Sequence, residues 1–351
     1  MSENPYKHLP DKAFWKRAVS SRHYEEMTEL WNPPKLTGNE KFATAGSCFA
    51  QHIGRHVSAR GKNNYMDLEP APPTLTERDY AKFGFGIYSC RYGNIYTSKQ
   101  LLQLTEEAFG HRQISEHIWT KGGRYYDAIR PSVDPIGQET PELVRLLRLQ
   151  HLENVRKMFL TLDVFVFTLG LTETWISRAD GTAFPTAPGV IAGSLEEAPV
   201  DFVNLDIDEV RDNLNDFWSL LKSVNPEAKM ILTVSPVPLI ATASDEHVLP
   251  ATTYSKSVLR VAAHEMASTF SDISYFPSYE IINSPQGRGY YFDPDLRSVN
   301  DQGVEYVMSH FFSGDMRRAF PAQLTFADEN SDSDVVCDEE AIESSINPRV
   351  S

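Results

Sequence analysis

Ser47 stands where this 351-residue chain most clearly invites chemistry. It follows the apolar run of residues 41–45 and Gly46, and it precedes Phe49, Ile53 and Val57, which recur every four positions. A short buried strand running into a helix with one packed face gives that pattern. Ser47 is therefore expected at a strand-to-helix junction, beside the unpaired N–H groups and positive end of the helix. An oxyanion developing on a bound acyl group would be stabilised there. The same pair also reads as an ordinary helix entry, since serine is a favoured N-cap and glycine a favoured turn residue. Cys48 is either a second nucleophile, acidified at the helix start, or a small buried residue. His52 and His56 have the i, i+4 spacing that can ligate zinc, but the residues between them include no glutamate. One helix face explains that spacing as well, and no metal is expected.

The elements that must position Ser47 follow from periodicity. Pro141 opens a helix to about Leu160, with Leu143, Leu146, Leu147, Val155 and Phe159 as its expected buried stripe. Residues 163–170 are apolar nearly throughout and read as a central parallel strand buried on both faces. A helix over about 208–224, a strand over 229–236, a helix over 254–270, a short strand over 273–276 and a helix over 301–312 complete the alternation. Such alternation means a doubly wound α/β sheet, and ligands bind such sheets outside the carboxyl ends of the strands. Ser47, the loop after Gly170, the loop after Ser235 and the segment after Phe276 then share one rim. Residues 1–40 are expected as an N-terminal extension packed over the core, 41–312 as the α/β domain, and about 61–135 as an insertion shaping the cleft.

The charge balance restricts partners. The chain carries a formal charge of −15, which repels phosphate, and no basic aromatic stripe is evident, so nucleic acid is not an expected partner. No apolar run approaches the roughly 20 residues needed to cross a bilayer. The first residues lack the pattern of a secretory signal, and three scattered cysteines offer no disulfide framework, so the cytoplasm is the default location. Residues 313–351 form a tail whose acids from Asp328 onward are answered only by Arg349. It is expected to be disordered. No Gly-x-Gly-x-x-Gly or phosphate-cradling Gly-Lys-Ser/Thr loop occurs, and no nucleotide cofactor is expected.

Gly46-Ser47-Cys48-Phe49-Ala50 spells the name-giving motif of the GSCFA family, placed in the SGNH (GDSL-like) hydrolase superfamily. Residues 92–97, 167–170, 235–237, 255–256 and 275–281 also resemble segments of that family, in family order, so the likeness spans about residues 40–312. The resemblance implies a flavodoxin-like sheet and a nucleophilic serine acting on acyl esters, as in esterases, lipases and O-acyltransferases, many of them acting on acylated carbohydrates. Ser47 matches the nucleophile, and its N–H an oxyanion donor. Gly170-Leu171-Thr172-Glu173 stands where the superfamily has Gly-x-Asn-Asp, which makes Gly170 N–H and the Thr172 hydroxyl the further expected donors; Thr172 also reads as a cap for the chain leaving the strand.

The superfamily's Asp-x-x-His corresponds to Asp295-Leu296-Arg297-Ser298, which keeps the acid and lacks the histidine. His247, expected in the loop after the 229–236 strand and on the rim with Ser47, is the candidate base, with Asp295 as the orienting carboxylate. His310 reads as a packing residue. Glu173, Trp175, Asn94 and Tyr254 are expected substrate contacts, although Glu173 could equally pair with Arg178. Trp119, Tyr125 and Tyr126 could stack on sugar rings or lie in the core. The expected activity is a serine-dependent esterase or O-acyltransferase acting on a glycan or small-molecule ester. The alternative is a noncatalytic glycan-binding or assembly module that has lost the triad histidine.

Overall fold

The computed structural model describes residues 4–60, 64–115, 117–320, 338 and 340–346. In chain order its strands and α-helices are β1 (Phe42–Gly46), α1 (Phe49–Arg60), α2 (Glu77–Tyr80), α3 (Ser98–Ala108), β2 (Ile118–Lys121), β3 (Arg124–Asp127) and α4 (Pro141–Thr161). There follow β4 (Val164–Leu169), β5 (Glu173–Ser177), β6 (Ala183–Phe184), β7 (Val200–Asn204), α5 (Ile207–Val224), β8 (Lys229–Val234) and α6 (Val248–Thr269). The last are β9 (Ile273–Phe276), α7 (Ser278–Ile282), α8 (Asp301–Phe311), α9 (Gly314–Ala319) and α10 (Glu340–Ile346). Helix starts carry the expected chemistry: Thr140 caps α4 ahead of Pro141, and Asp206 with Glu209 forms a capping box at α5.

The central sheet is parallel in the order β1-β4-β8-β9. Register runs Phe42 against Val164 through Gly46 against Thr168, so β1 and β4 end together at the rim. On the free side of β1, Phe42 and Tyr65 form a single parallel bridge, with Phe42 N–H donating to Asn64 O and Met66 N–H to Phe42 O. That rudimentary edge gives the spatial order of a flavodoxin-like sheet. The chain direction therefore switches at β1, and the switch point lies at the carboxyl end where Ser47 follows.

Alternation along the strands feeds two apolar layers. Phe165, Phe167, Leu169, Met230, Leu232 and Val234 face α3, α4, α5 and α6. Val164, Val166, Ile231 and Phe276 pack with Phe49, Ile53 and Val57 of α1 and with Val304, Val307 and Phe311 of α8. Burying each such side chain contributes about 1.5–3 kcal/mol. Trp31 joins the second layer, stacking on Phe311 and donating its indole N–H to His310 O at 2.8 Å. The 31–40 stretch is thus pinned beside α8. No helix among the described residues is long and apolar enough to cross a membrane.

Two expectations change, and one open alternative is decided. In α4 the buried stripe is Val144, His151, Val155, Met158 and Phe159, while Leu143 and Leu146 are exposed; the helix is rotated because His151 turns inward to meet Glu69. The helix expected from 254 starts at Val248, because the His247 side chain caps it. Trp119 and Tyr126 are buried with Phe184 in a small core between the β2–β3 hairpin and the β6-β5-β7 sheet, which leaves no open ring face for a sugar. Of the tail expected over residues 313–351, residues 313–320, Asp338 and α10 are described, with Met316 and Phe320 of the first part buried in the second apolar layer; the rest of that expectation lies outside the described residues.

Candidate active site

Gly46 ends β1 with φ +142°, and a Cβ there would stand 2.5 Å from Thr168 O. Only glycine accommodates that approach to β4. Ser47 follows, its N–H donating to Thr168 O at 3.2 Å. The hydroxyl is buried and has no hydrogen-bond partner among the described residues. It borders a small recess, partly open to solvent, with Cys48, Tyr96, Gly170, Leu171, Lys256 and residues of the turn after β8. Val237, Pro238 and Leu239 supply an apolar wall.

Gly170 meets Ser47 closely: a Cβ built on it would lie 2.8 Å from the serine Cβ and 3.2 Å from Tyr96 O. The 92–97 segment completes this wall. Ile95 N–H donates to Gly46 O, while Gly170 N–H and Leu171 N–H both donate to Tyr96 O. Tyr88 braces Ser47 from behind, its hydroxyl lying 2.9 Å from Ser47 O and 2.7 Å from Asn94 Oδ1. Asn94, buried, also accepts from Gln51 Nε2 and donates its Nδ2 hydrogen to Asp338 Oδ2 at 3.0 Å. The Tyr96 hydroxyl donates to the same Asp338 oxygen at 3.5 Å. Burial pushes the Asp338 carboxyl above the ordinary range, against the lowering effect of bonds from Ser132, Asn94 and Tyr96.

The other expected donors are engaged. Thr172 is fully buried, its hydroxyl donating to Asn204 Oδ1 at 2.6 Å and its N–H to Ser255 Oγ at 3.0 Å. The hydroxyl thus ties the strand exit to β7, as the cap reading has it. With Gly170 N–H on Tyr96 O and Ser47 N–H on Thr168 O, all three expected oxyanion donors make protein bonds in this structure. The positive end of α1 remains beside Ser47.

His247 and Asp295 do not border the recess. His247 is exposed, and its Nδ1 accepts the Leu249 N–H at 3.1 Å as the N-cap of α6. Asp295 closes on its own loop: Oδ1 accepts the N–H groups of Arg297 and Ser298, and Oδ2 accepts the Ser298 hydroxyl at 2.6 Å. Burial opposes the charge there, but these bonds outweigh it and hold the carboxyl below its ordinary range. None of the recess-lining residues is a histidine. His52 is driven down to about 3 by burial and by Arg55 and His56, and His56 meets Glu305 at 3.0 Å. No group of three or more metal-ligating side chains is gathered among the described residues.

The expected substrate contacts are scattered. Glu173 accepts from the Thr242 hydroxyl at 2.6 Å, its carboxyl raised by burial. Trp175 is half-buried against Phe202, and Tyr254 is exposed on α6. Lys256 was not singled out by type or spacing, yet it is 2% exposed and donates its Nζ hydrogen to Gly170 O at 2.6 Å. A signal existed: Lys256 falls on the apolar stripe with Leu259, Ala263 and Met266, where a cation is out of place.

No curated protein matches this chain in sequence. A family model does: the one described as GSCFA family matches residues 41–311, from the first residue before β1 to the end of α8. The matched span takes in the Gly46-Ser47 junction, the Gly170 loop and Lys256 alike, and by that match the chain belongs to the GSCFA family.

Proposed function

We propose that this chain is a serine-dependent esterase or O-acyltransferase of the SGNH type, acting on acyl esters of a glycan or small molecule through an acyl-enzyme on Ser47. The observation that carries the reading is the Ser47 hydroxyl itself: buried, without a partner among the described residues, and bordering a recess at the sheet's switch point. Leaving a buried hydroxyl unpaired costs about 1–3 kcal/mol, a cost without purpose in a mere helix entry. In the proposed reaction Ser47 Oγ attacks the acyl carbon, the positive end of α1 stabilises the oxyanion, and the apolar wall of Leu171, Val237, Pro238 and Leu239 receives the acyl chain. Water or an acceptor hydroxyl then releases the acyl group.

One observation favours a noncatalytic glycan-binding or assembly module instead. Ser298 stands where the superfamily has its histidine, and it is bonded to Asp295 rather than presented to the site. A fluorophosphonate probe with mass-spectrometric mapping separates the two. Covalent label on Ser47, together with ester turnover that Ser47→Ala abolishes, is the expected result. An intact chain that takes no label and binds glycan equally well with Ser47→Ala is a binding module.

A further inference from the structure

We infer that the site is built for an acetyl-sized acyl group, with Leu171 and Leu239 setting the limit on its length. This inference rests on the acyl-transfer reading of Ser47 and adds to it which acyl group Ser47 receives. The recess beside Ser47 encloses about 10 Å³, close to the least space that holds one water molecule. A methyl group is only slightly larger than a water. The methyl of an acetyl group is therefore the longest acyl tail that enters without moving the walls. Leu171, Val237, Pro238 and Leu239 line that space, and their apolar surface gains from covering a methyl.

Neither wall can draw back cheaply. Ser235 N–H donates to Leu169 O at 2.8 Å, which starts the turn after β8 against β4. Val237 N–H donates to Ser235 Oγ at 3.3 Å, and Leu239 N–H donates to Thr252 Oγ1 of α6 at 3.2 Å. Asn283, just past α7, holds Pro236 O at 3.4 Å through its Nδ2. Pro236 and Pro238 fix two φ angles within the same turn. On the Gly170 side, Leu171 N–H donates to Tyr96 O and Thr172 N–H to Ser255 Oγ. Leu239 is 6% exposed, so its side chain has little room to turn away.

The recess constrains one half of an ester and leaves the other unconstrained. Ser47 Oγ bonds to the acetyl carbonyl carbon, the bond from that carbon to the alcohol oxygen breaks, and the alcohol departs with the proton the serine gives up. Only the two-carbon acetyl group has to fit between the walls. The alcohol, whatever its size, lies toward the side open to solvent. Water or an acceptor hydroxyl then takes the acetyl group, and its proton restores the Ser47 hydroxyl.

The test is turnover of 4-nitrophenyl acetate, butyrate and octanoate by the full chain, read as 4-nitrophenol release, with mass-spectrometric mapping of the acyl adduct on Ser47. Wild type is expected to favour acetate over butyrate by at least about 10-fold in kcat/KM, the discrimination a close pocket gives for a misfit methylene, and to leave octanoate untouched. Leu239→Ala and Leu171→Ala each remove part of the wall and keep Ser47. Either is expected to raise the butyrate-to-acetate ratio by at least about 10-fold. Leu171 is the less buried of the two, so Leu171→Ala carries the test should Leu239→Ala fail to fold. Butyrate or octanoate turned over by wild type as fast as acetate, or a ratio that stays at the wild-type value in each variant that folds, overturns the assignment. A wild-type chain that turns over none of the esters and carries no adduct on Ser47 removes the acyl-transfer reading itself, and the acetyl assignment with it.

Discussion

Gly170 passes so close to Ser47 that a Cβ built on it would stand 2.8 Å from the serine Cβ, closer than side-chain carbons approach in proteins. The contact is held from both sides, by Gly170 N–H on Tyr96 O and by Lys256 Nζ on Gly170 O. Gly170→Ala must therefore push the loop away from Ser47. It is expected to destabilise the fold by about 1–3 kcal/mol, the usual result of overpacking a tight site. Urea denaturation measures the loss, and fluorophosphonate labelling should slow in the fraction that remains folded. Unchanged stability and labelling would mean that the loop is free to give way.

His247 gives the second prediction. Its side chain caps α6 from an exposed position, so His247→Ala should cost the cap, about 0.5–2 kcal/mol, and leave the rate of Ser47 labelling unchanged. Thermal melting and labelling on one preparation test both. Loss of labelling with an unchanged melting temperature would return His247 to the role of base.

How far the sequence carried these conclusions depends on whether a property belongs to one element or to a meeting of two. The strands over Val164–Leu169 and Lys229–Val234 announce themselves, because strands covered on both faces must be apolar throughout. The Ser47 junction is legible for the same reason: the apolar run before it and the spacing of Phe49, Ile53 and Val57 are local. Lys256 is not legible as a site residue, since the carbonyl it meets is contributed by a loop 86 positions away. The engagement of Thr172 by Asn204, and of Gly170 N–H by Tyr96, likewise comes from other segments. The burial of Trp119 and Tyr126 needed a hairpin to meet a second sheet. Residue type left them as sugar platforms or core residues; packing puts them in the core.

His151 and Glu69 set a pH dependence remote from Ser47. Burial, with Arg130 and Arg148 adding to it, drives His151 down to about 4, so the imidazole stays neutral and shares its Nδ1 hydrogen with the Glu69 carboxylate at 3.0 Å. Glu69 is held at about 2, its burial outweighed by His151, Arg130 and the Arg91 N–H. An unfolded histidine titrates near 6.5, above the folded value, so the unfolded chain binds the extra proton first. The stability is complete above about pH 6.5 and is lost as pH falls toward 4. Between pH 7 and pH 5 the loss should be about 2 kcal/mol. His151→Gln keeps a donor for Glu69 and has no proton to bind, so its urea midpoint should move less over that interval. Equal movement in both proteins would assign the dependence to other groups.

Asp338 connects the acidic tail to the wall of the site. Its carboxyl is buried, Oδ2 accepts from Asn94 and Tyr96, and Oδ1 has no partner among the described residues. Tyr96 also borders the recess beside Ser47, so whatever holds Asp338 in place also braces that wall. Because burial raises the carboxyl, the docked state binds a proton more readily than the undocked one. Docking should therefore strengthen as pH falls from neutral and level off below the ordinary carboxylate range, near pH 4. Asp338→Asn keeps the accepting oxygen and removes the charge, so at neutral pH it should slow amide exchange across Glu340–Ile346 relative to wild type, read by mass spectrometry at matched pH. Faster exchange in Asp338→Asn would reverse the conclusion: Asn94, Tyr96 and Ser132 would then form a cradle that selects the carboxylate anion, and the negative charge itself would hold the tail.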